Sequence, residues 1–341
     1  MYGAGRGRNS RGERFRSFAT RWLKDREREL RPRTTQTYDG MLRRHVLHTI
    51  GFVPLHRFDK RRIKELLDHL QEKGLGQTSR HHVFRLLHKM FSDAVAEELI
   101  LKNPCEFKGP GRSHHRVQVL TEAQTRHVLA EAKRSNPRLY PLLLTAVSTA
   151  LRQGELLGLT WENVDLERGT LSVVQALQRL PGAGWTLVPP KTDRSRRAVP
   201  LTLDVIAELR TLRLAQTKAR LAYGLCPKDR DCKKADCRQW HDVGGFVFAQ
   251  PNGKPGHGNN IVGRAFRGVL KRAGHPPMRL HVFGRHAYGS YLNRQGVDMA
   301  TISSLVGHSS TAFTSAVYVH ELPAAKREAA QIIGEVLGGA K

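Results

Sequence analysis

Apolar residues recur at helical spacing through almost all of residues 15–104, and this periodicity limits the fold more than any other feature of the chain. We predict four helices in this segment: Pro32 and Thr34 separate the first two, Gly74 and Gly76 end the third, and Asn103-Pro104 ends the fourth. Their apolar stripes are, in chain order, Phe15, Phe18, Trp22 and Leu23; Tyr38, Leu42 and Val46; Leu55, Phe58, Ile63, Leu66, Leu67 and Leu70; and Val83, Leu86, Leu87, Met90, Phe91, Ala94 and Leu99. We therefore predict a helical domain over residues 15–106.

The second part of the chain mixes helices with short strands. Thr121 and Gln124 have the spacing of a helix-capping box. Strands are predicted at residues 170–174, 185–188, 197–201 and 246–248, a turn between the first two at residues 182–184, and a long amphipathic helix at residues 203–221. The chain is thus predicted to be mainly α with a small antiparallel β-sheet, an α+β fold.

The formal net charge of +27 indicates a polyanionic partner. Nucleic acid is the simplest such partner, although a basic ribosome-associated or membrane-surface protein would show the same balance. The 341 residues suffice for two domains with cores. No apolar run approaches the roughly 20 residues of a membrane span, and the N-terminus lacks the apolar core of a secretory signal. Four cysteines favour a reducing cytoplasm over a disulfide scaffold.

Two polar segments flank the helical domain. Residues 1–14 are rich in Gly, Arg and Ser without periodicity, which predicts a disordered basic arm. Residues 107–118 combine Gly, Pro, Ser and basic residues, which predicts an interdomain linker. The second domain then covers residues 119–341.

Basic residues lie between the apolar positions of the fourth predicted helix, with few acids nearby. They form either a solvated face or a face that grips DNA, and the shortage of acids favours the second. The candidate DNA-binding residues are Arg80, His82, Arg85 and Lys89.

Residues 280–320 concentrate side chains that can act on a phosphate. They include Arg285, His308 and Tyr318. An arginine fork matches a pair of phosphate oxygens. Tyrosine is a weak nucleophile with a reference pKa of about 10, so it needs surroundings that take its proton. Each residue alone is more often packed or on the surface, and only the ordered set indicates chemistry.

Two earlier motifs carry similar chemistry. In S-T-A-L-R-Q-G-E-L-L-G-L-T-W, Arg152 opens a predicted short helix and Glu155 follows one turn later on the same face. The pair is either a surface ion pair or an arginine aimed at a phosphate and held by the acid. In P-P-K-T-D-R-S-R-R-A-V-P-L, Lys191 is either a solvated turn residue or a proton donor.

The segments R-H-x(3)-S, L-x-G-H-S-S and T-x(3)-Y-x-H, together with these two motifs, resemble the tyrosine recombinase (phage integrase) family. That family cuts and rejoins DNA through a covalent phosphotyrosine. The resemblance implies that Tyr318 is the nucleophile and that Arg152 and Arg285 bind the scissile phosphate. It implies that Lys191 is the general acid and that His308 hydrogen-bonds the phosphate or helps to manage the tyrosine proton.

The resemblance also assigns supporting positions. Glu155 matches the acid that holds the first arginine, and His286 matches a histidine that we expect to be packed or structural. Ala150 stands where the family text has glycine, and we expect this change to be without consequence.

One histidine departs from the family text H-x-x-R-H. The residue three before Arg285 is Val282, and His281 lies four before it. We assign His281 to catalysis on the expectation that the helix start carries an extra residue, eased by Gly284. The alternative is that His281 has no catalytic part.

A cysteine-rich segment is not required by these motifs. Cys226, Cys232, Cys237 and His241 are spaced C-x5-C-x4-C-x3-H, and three thiolates with one imidazole match tetrahedral zinc ligation. The spacing resembles compact CCCH zinc fingers. The segment is either a polar loop with incidental cysteines or a structural zinc site without an open ligand position. We predict the zinc site, as an insertion at residues 224–243.

The resemblance implies a core-binding domain at residues 15–106 and a catalytic domain at residues 119–341, closing on double-stranded DNA as a C-shaped clamp. The expected function is site-specific recombination without ATP or a catalytic cofactor, serving integration or excision of a phage or mobile element. A homotetramer on paired sites, at the nucleoid and away from membranes, is expected. The alternatives are supercoil relaxation of the type IB topoisomerase kind and non-enzymatic DNA or RNA binding.

Overall fold

Two compact units make up the chain. Residues 1–116 with 180–182 form the N-terminal unit, and residues 117–179 with 183–341 form the C-terminal unit. The computed structural model describes residues 12–113, 118–180, 184–190, 195–226, 237, 239–241, 244–256 and 263–307.

The N-terminal unit is helical throughout its described core. Its elements are α1 (Phe15–Arg26), α2 (Pro32–Met41), a π-helical turn (Leu42–Val46), α3 (Leu47–Ile50), a 3-10 turn (Leu55–Arg57), α4 (Lys60–Glu72) and α5 (Gln77–Ala96). Two boundaries differ from prediction: Leu55 lies before α4 in the separate 3-10 turn, and Leu99 lies beyond the end of α5. Glu13, in the predicted arm, accepts a hydrogen bond from the Leu55 amide, so the chain is already bonded to the unit there.

The apolar stripes of these helices meet in one core. Phe15, Phe18, Leu42, Ile63 and Phe91 are all buried within it. The rings of Phe15 and Phe91 have centroids 5.5 Å apart. The periodicity of residues 15–104 therefore predicted the buried faces correctly.

The C-terminal unit contains helices and short strands. Its described helical elements are α6 (Glu122–Ser135), α7 (Tyr140–Thr149), α8 (Gln153–Leu157), a 3-10 turn (Trp161–Asn163), α9 (Leu203–Tyr223), α10 (Phe266–Arg272), a π-helical turn (Val282–His286), α11 (Ala287–Arg294) and α12 (Met299–Val306). The predicted capping box is confirmed, because Thr121 and Gln124 exchange side-chain and backbone hydrogen bonds at the start of α6.

The strands are β1 (Val164–Asp165), β2 (Thr170–Val173), β3 (Ala176–Leu180), β4 (Gly184–Val188) and β5 (Arg197–Pro200). β2 lies between β1 and β5, antiparallel to both, with Leu171 opposite Val199. β3 and β4 form a separate two-stranded sheet. β3 was not predicted, and it lies between β2 and the turn expected at residues 182–184. Residues 182 and 183 of that expected turn lie outside the described residues.

The predicted strand at residues 246–248 is wrong. Phe246 makes only an isolated bridge to Thr160, and the next two residues are in a turn. All three side chains of Phe246, Val247 and Phe248 are nevertheless buried in the core of the C-terminal unit. A short apolar run indicates a buried segment, and here that segment is a loop and not a strand.

The core of this unit fixes α7 against the π-helical turn. Leu142, Leu143 and Ala146 of α7 are buried. A Cβ atom on Gly284 would lie 2.8 Å from the Ala146 carbonyl oxygen, so the two segments approach as closely as glycine permits. Among the helices of the described residues, none is long and apolar enough to cross a membrane.

Candidate active site

Arg152 is held at the start of α8 by a reciprocal cap. Its backbone N–H donates to Oε2 of Glu155 at 2.9 Å, and its Nη1 donates to Oε1 at 2.7 Å. The helix start and the one-turn spacing agree with the sequence prediction. The acid therefore fixes both the backbone and the guanidinium of Arg152 in one direction.

Glu155 also binds a second arginine. Its side chain is 5% exposed and accepts from Nη2 of Arg197 at 3.1 Å. Burial opposes ionisation of this carboxyl. The charges of Arg197 and Arg152 and the Arg152 backbone N–H outweigh the burial, so the pKa of Glu155 is lowered. Glu155 is therefore a carboxylate that orients two guanidinium groups.

Arg285 reaches the same place from the π-helical turn. It is 1% exposed, and its Nη1 donates to the carbonyl of Ala150 at 3.2 Å. Its Nη2 donates to the carbonyl of Gly307 at 3.4 Å. Nη2 of Arg152 donates to the same Gly307 oxygen at 2.7 Å. The guanidinium groups of Arg152 and Arg285, which are 133 positions apart in the sequence, therefore meet at one oxygen atom.

The backbone conformation and the close surroundings of Gly307 both favour glycine at this position. It ends α12 in the left-handed region, with φ +66°. A Cβ atom there would lie 3.0 Å from Nη1 of Arg197. The last carbonyl oxygens of a helix lack partners within the helix and attract cations, and those of Leu305 and Gly307 accept from arginine side chains. His308 follows directly in the chain and lies outside the described residues.

Arg197 is a site residue that the sequence analysis did not assign. Its Nε donates to the Leu305 carbonyl at 3.0 Å, and its Nη2 reaches Glu155. Only 8% of its side chain is exposed. The signal was present, because Arg197 is the third arginine of the segment P-P-K-T-D-R-S-R-R-A-V-P-L that contains Lys191. Arg197 joins α12 to the acid that holds Arg152.

Ala150 adopts a conformation that favours glycine. It follows α7 with φ 53° and ψ 23°, in the left-handed region, and is fully buried. The expectation that replacing glycine here is without consequence is therefore wrong for the backbone, because a Cβ atom in this region costs about 1–2 kcal/mol. Its carbonyl still accepts from Arg285.

The displaced histidine lies where the helix is π-helical. His281 directly precedes the turn Val282–His286, and a π-helical turn accommodates one residue more than an α-helical turn. The π-helical turn is compatible with an extra residue at the helix start, and Gly284 lies within that turn. The catalytic role of His281 stays a prediction. The rings of His281 and His286 are edge to face, with centroids 4.7 Å apart.

Burial lowers the pKa of His281 to about 4, and the positive charges of His286, Arg285 and Arg152 act in the same direction. Part of the His281 side chain is also exposed to solvent, which partly screens those charges. Burial and the charge of Arg285 also lower the pKa of His286. Both imidazoles are therefore neutral near pH 7, and a neutral imidazole can donate one hydrogen bond and accept another.

Several predicted site residues lie outside the described residues. They are Lys191, Cys232, His308 and Tyr318. The described members that the structure brings together are Arg152, Glu155 and Arg285, with His281 next to the π-helical turn that carries Arg285.

The candidate DNA-binding residues lie on α5 in the N-terminal unit. His82 and Arg85 are exposed, and Lys89 is half-buried, 4.0 Å from Asp93. Arg80 instead donates to the side chain of Gln71 at 2.6 Å and to the carbonyl of Leu75 at 3.2 Å. Arg80 thus binds the segment before α5 within its own unit.

The three described residues of the predicted zinc set lie together in the C-terminal unit. One ligand atom from each of Cys226, Cys237 and His241 lies within 4.8 Å of the others.

The arginine cluster is suited to a phosphodiester. Two forks that converge, each held by a buried acid or by backbone carbonyls, offer charged donors to the non-bridging oxygens of a single phosphate. Arg285 is buried and both of its Nη atoms donate to backbone carbonyls, so binding of a phosphate would exchange those hydrogen bonds for bonds to phosphate oxygens.

Comparisons with known proteins agree with this arrangement. The Phage integrase family matches residues 118–324, and the Phage integrase SAM-like domain matches residues 14–110. A XerC-like tyrosine recombinase of Caldanaerobacter subterraneus subsp. tengcongensis is 27% identical over 320 residues, which cover 90% of this chain and 78% of that protein.

Solved structures share the fold. A Tn1549 transposon integrase in complex with a circular intermediate DNA superposes with a TM-score of 0.78 at 22% identity, covering 94% of this chain and 99% of that one. A lambda integrase tetramer bound to a Holliday junction gives a TM-score of 0.63 at 19% identity, covering 90% of this chain and 78% of that one. The family matches and the XerC-like relative support the recombinase interpretation and neither alternative. With both halves matched and two arginines gathered at one oxygen, this chain belongs to the phage integrase family of tyrosine recombinases.

Proposed function

We propose that the protein is a site-specific DNA recombinase that cleaves and rejoins strands through a covalent 3′-phosphotyrosine at Tyr318. The observation that carries the proposal is the convergence of Arg152 and Arg285 on the Gly307 carbonyl oxygen. Two guanidinium groups at one point can each bind a non-bridging oxygen of the same phosphate. Tyr318, the nucleophile that the family resemblance implies, follows Gly307 by eleven positions.

In the proposed cleavage step, Arg152 and Arg285 bind the two non-bridging oxygens of the scissile phosphate. They stabilise the additional negative charge of the pentavalent transition state, which is usually the largest contribution in such sites. Glu155 and Arg197 do not touch the phosphate in this scheme. They keep Arg152 in place through the ion pairs already described.

The phenolic oxygen of Tyr318 attacks phosphorus, and the bond from phosphorus to the 5′ oxygen breaks. Lys191 donates a proton to that oxygen, leaving a free 5′-hydroxyl. His308 hydrogen-bonds the phosphate or accepts the tyrosine proton. His281 hydrogen-bonds the phosphate through its ring N–H, because its lowered pKa keeps it neutral and makes it a weak base. The phosphodiester energy is retained in the phosphotyrosine bond, so the religation step needs no ATP.

The proposed substrate is double-stranded DNA carrying specific recombination sites. The net charge of +27 and the exposed basic residues His82 and Arg85 of α5 support it. The DNA-bound integrases with which the chain shares its fold support it as well. We propose a homotetramer on paired sites in the cytoplasm, acting at the nucleoid, that integrates or excises a phage or mobile element.

A nicked suicide duplex tests the covalent step. After cleavage such a substrate loses the strand needed for religation, so an adduct between protein and DNA survives denaturation. The wild-type protein should form the adduct, and Tyr318→Phe should bind the duplex but form none. Tyr223→Phe, at the exposed end of α9, is the matched control and should form the adduct normally. An adduct with Tyr318→Phe would overturn the assignment.

A further inference from the structure

We propose that Cys226, Cys237 and His241 bind a structural zinc ion that fixes the loop between α9 and α10. The three donors come from a segment of the C-terminal unit that the recombination chemistry does not use. The site is independent of the proposed DNA function, because it would form in the protein alone.

The spacing of the donors fits zinc. Sγ of Cys226 and Sγ of Cys237 are 3.9 Å apart. Two thiolates on one tetrahedral zinc ion, each at ~2.3 Å from the metal, are separated by ~3.8 Å. The sulfurs are too far apart for a disulfide, whose bond length is about 2.05 Å. One ligand atom of His241 lies within 4.8 Å of both sulfurs, so the set can close around one ion.

The donor types select the metal. Thiolate and imidazole ligands in a tetrahedral arrangement suit zinc, whereas calcium and magnesium require oxygen ligands. Cys226 and His241 are buried, with 6% and 1% exposure. A segment so rich in charged residues has little apolar surface to bury, and metal binding would supply the missing stabilisation.

The backbone around the donors is ordered by hydrogen bonds. The Cys226 N–H donates to the Trp240 carbonyl at 2.8 Å, and the His241 N–H donates to the Asn252 carbonyl at 2.8 Å. The Asn252 side chain donates to the Cys237 carbonyl at 3.2 Å. All three ligands are therefore tied to one another through Trp240 and Asn252.

Gly253 adds an independent constraint on the loop. It has φ +80°, and a Cβ atom there would lie 2.5 Å from the His241 carbonyl oxygen. The chain must pass this close for Asn252 to bond to both ligand segments. Cys232, the fourth ligand that the sequence predicts, lies outside the described residues.

The loop is also bonded to the segment that follows α8. The Trp161 N–H donates to the Gly245 carbonyl at 2.9 Å, and the Val247 N–H donates to the Leu159 carbonyl at 2.9 Å. A zinc ion here would therefore stabilise the C-terminal unit without taking part in the reaction.

Metal content of the purified full-length protein tests the proposal. After saturation with zinc chloride and desalting, elemental mass spectrometry should find about one zinc per chain. Cys226→Ser, Cys237→Ser and His241→Asn should each lose most of it. Cys105→Ser is the matched control and should keep the zinc, because Cys105 is buried in the core of the N-terminal unit and is not one of the three donors.

Cobalt substitution in the wild-type protein gives a readout that does not depend on the folding of variants. Co²⁺ should produce intense visible bands of tetrahedral geometry and near-ultraviolet bands of thiolate-to-cobalt charge transfer, and zinc chloride should remove both. A wild-type protein without stoichiometric zinc, or without thiolate–cobalt bands, would overturn the proposal, as would full zinc retention in Cys226→Ser and Cys237→Ser. Neither result would bear on adduct formation at Tyr318, so the two proposals fail separately.

Discussion

At the scale of single residues, Glu155 is the side chain on which the arginine cluster depends. It is buried and paired with Arg152 and Arg197. Removing its charge leaves two guanidinium groups poorly compensated, which for a buried pair costs about 3–5 kcal/mol. Glu155→Gln should therefore lower the free energy of unfolding by about 3 kcal/mol at pH 7, measured by urea denaturation.

The control for this variant is Glu65→Gln. Glu65 pairs with Arg61 on the surface of α4, where both side chains are largely exposed. Such pairs contribute about 0.3–0.5 kcal/mol. Equal losses in the two variants would show that Glu155 does not organise the cluster.

His281 gives a prediction for pH dependence. The unfolded chain takes up the proton near the ordinary value of 6.5, whereas the folded chain resists until about pH 4. The folded state therefore loses stability as pH falls through this window and has no such penalty above it. His281→Gln should make the free energy of unfolding fall less steeply between pH 6.5 and 4, with a constant offset from wild type above pH 7. Parallel curves throughout would contradict the lowered pKa.

Some of the residue-scale chemistry was predictable from sequence because it is local. Arg152 and Glu155 are three positions apart at a helix start, so their pairing could be inferred. The meeting of Arg152, Arg197 and Arg285 could not, because it depends on how α8, β5, α12 and the π-helical turn pack. The strain at Ala150 was also hidden, since its backbone conformation is set by the turn from α7 to α8.

At the scale of elements, the π-helical turn Val282–His286 is the feature that fits the unusual histidine spacing. It packs on α7 through Gly284, where a Cβ atom would press on the Ala146 carbonyl at 2.8 Å. Gly284→Ala should lower the free energy of unfolding by about 1–3 kcal/mol, as overpacking does in a well-packed core. Urea denaturation measures the change.

A second glycine-to-alanine variant separates packing from helix propensity. Gly268 lies inside α10, and a Cβ atom there would meet only the flexible end of Arg272 at 3.5 Å. Gly268→Ala should raise the free energy of unfolding by up to about 1 kcal/mol. If Gly284→Ala also raised the free energy of unfolding, as Gly268→Ala should, the close packing of Gly284 on Ala146 would be contradicted.

The local signal was weak in one of the mispredicted elements and misleading in the other. β3 reads A-L-Q-R-L and contains no β-branched or aromatic residue, so nothing in its composition favours a strand. Phe246, Val247 and Phe248 have strong β-propensity but are held in a buried loop. Packing decided both cases, whereas the long helices α5 and α9 were predicted because their patterns extend over many turns.

At the scale of the whole molecule, the fold class and the family were predicted from composition and from the order of the motifs, without knowledge of any single contact. The charge of +27 indicated a polyanion, and the helical first part with a mixed second part predicted the α+β fold. Motifs spread over more than half of the chain identified the family. The predicted boundaries of the domains and the roles of Lys191, His308 and Tyr318 stay predictions, to be tested by the chemistry itself.

The central claim is that Arg152 and Arg285 stabilise the phosphate that the tyrosine attacks. Its most direct test is the rate of covalent adduct formation on the suicide duplex by Arg152→Lys, with duplex binding measured in parallel. Arg152→Lys keeps the charge and loses the fork, so we expect the rate to fall by about 10²-fold or more while binding changes little. Arg272→Lys, which alters an ion-paired arginine on α10, should react as wild type does. An Arg152→Lys protein that forms the adduct at the wild-type rate would contradict the account.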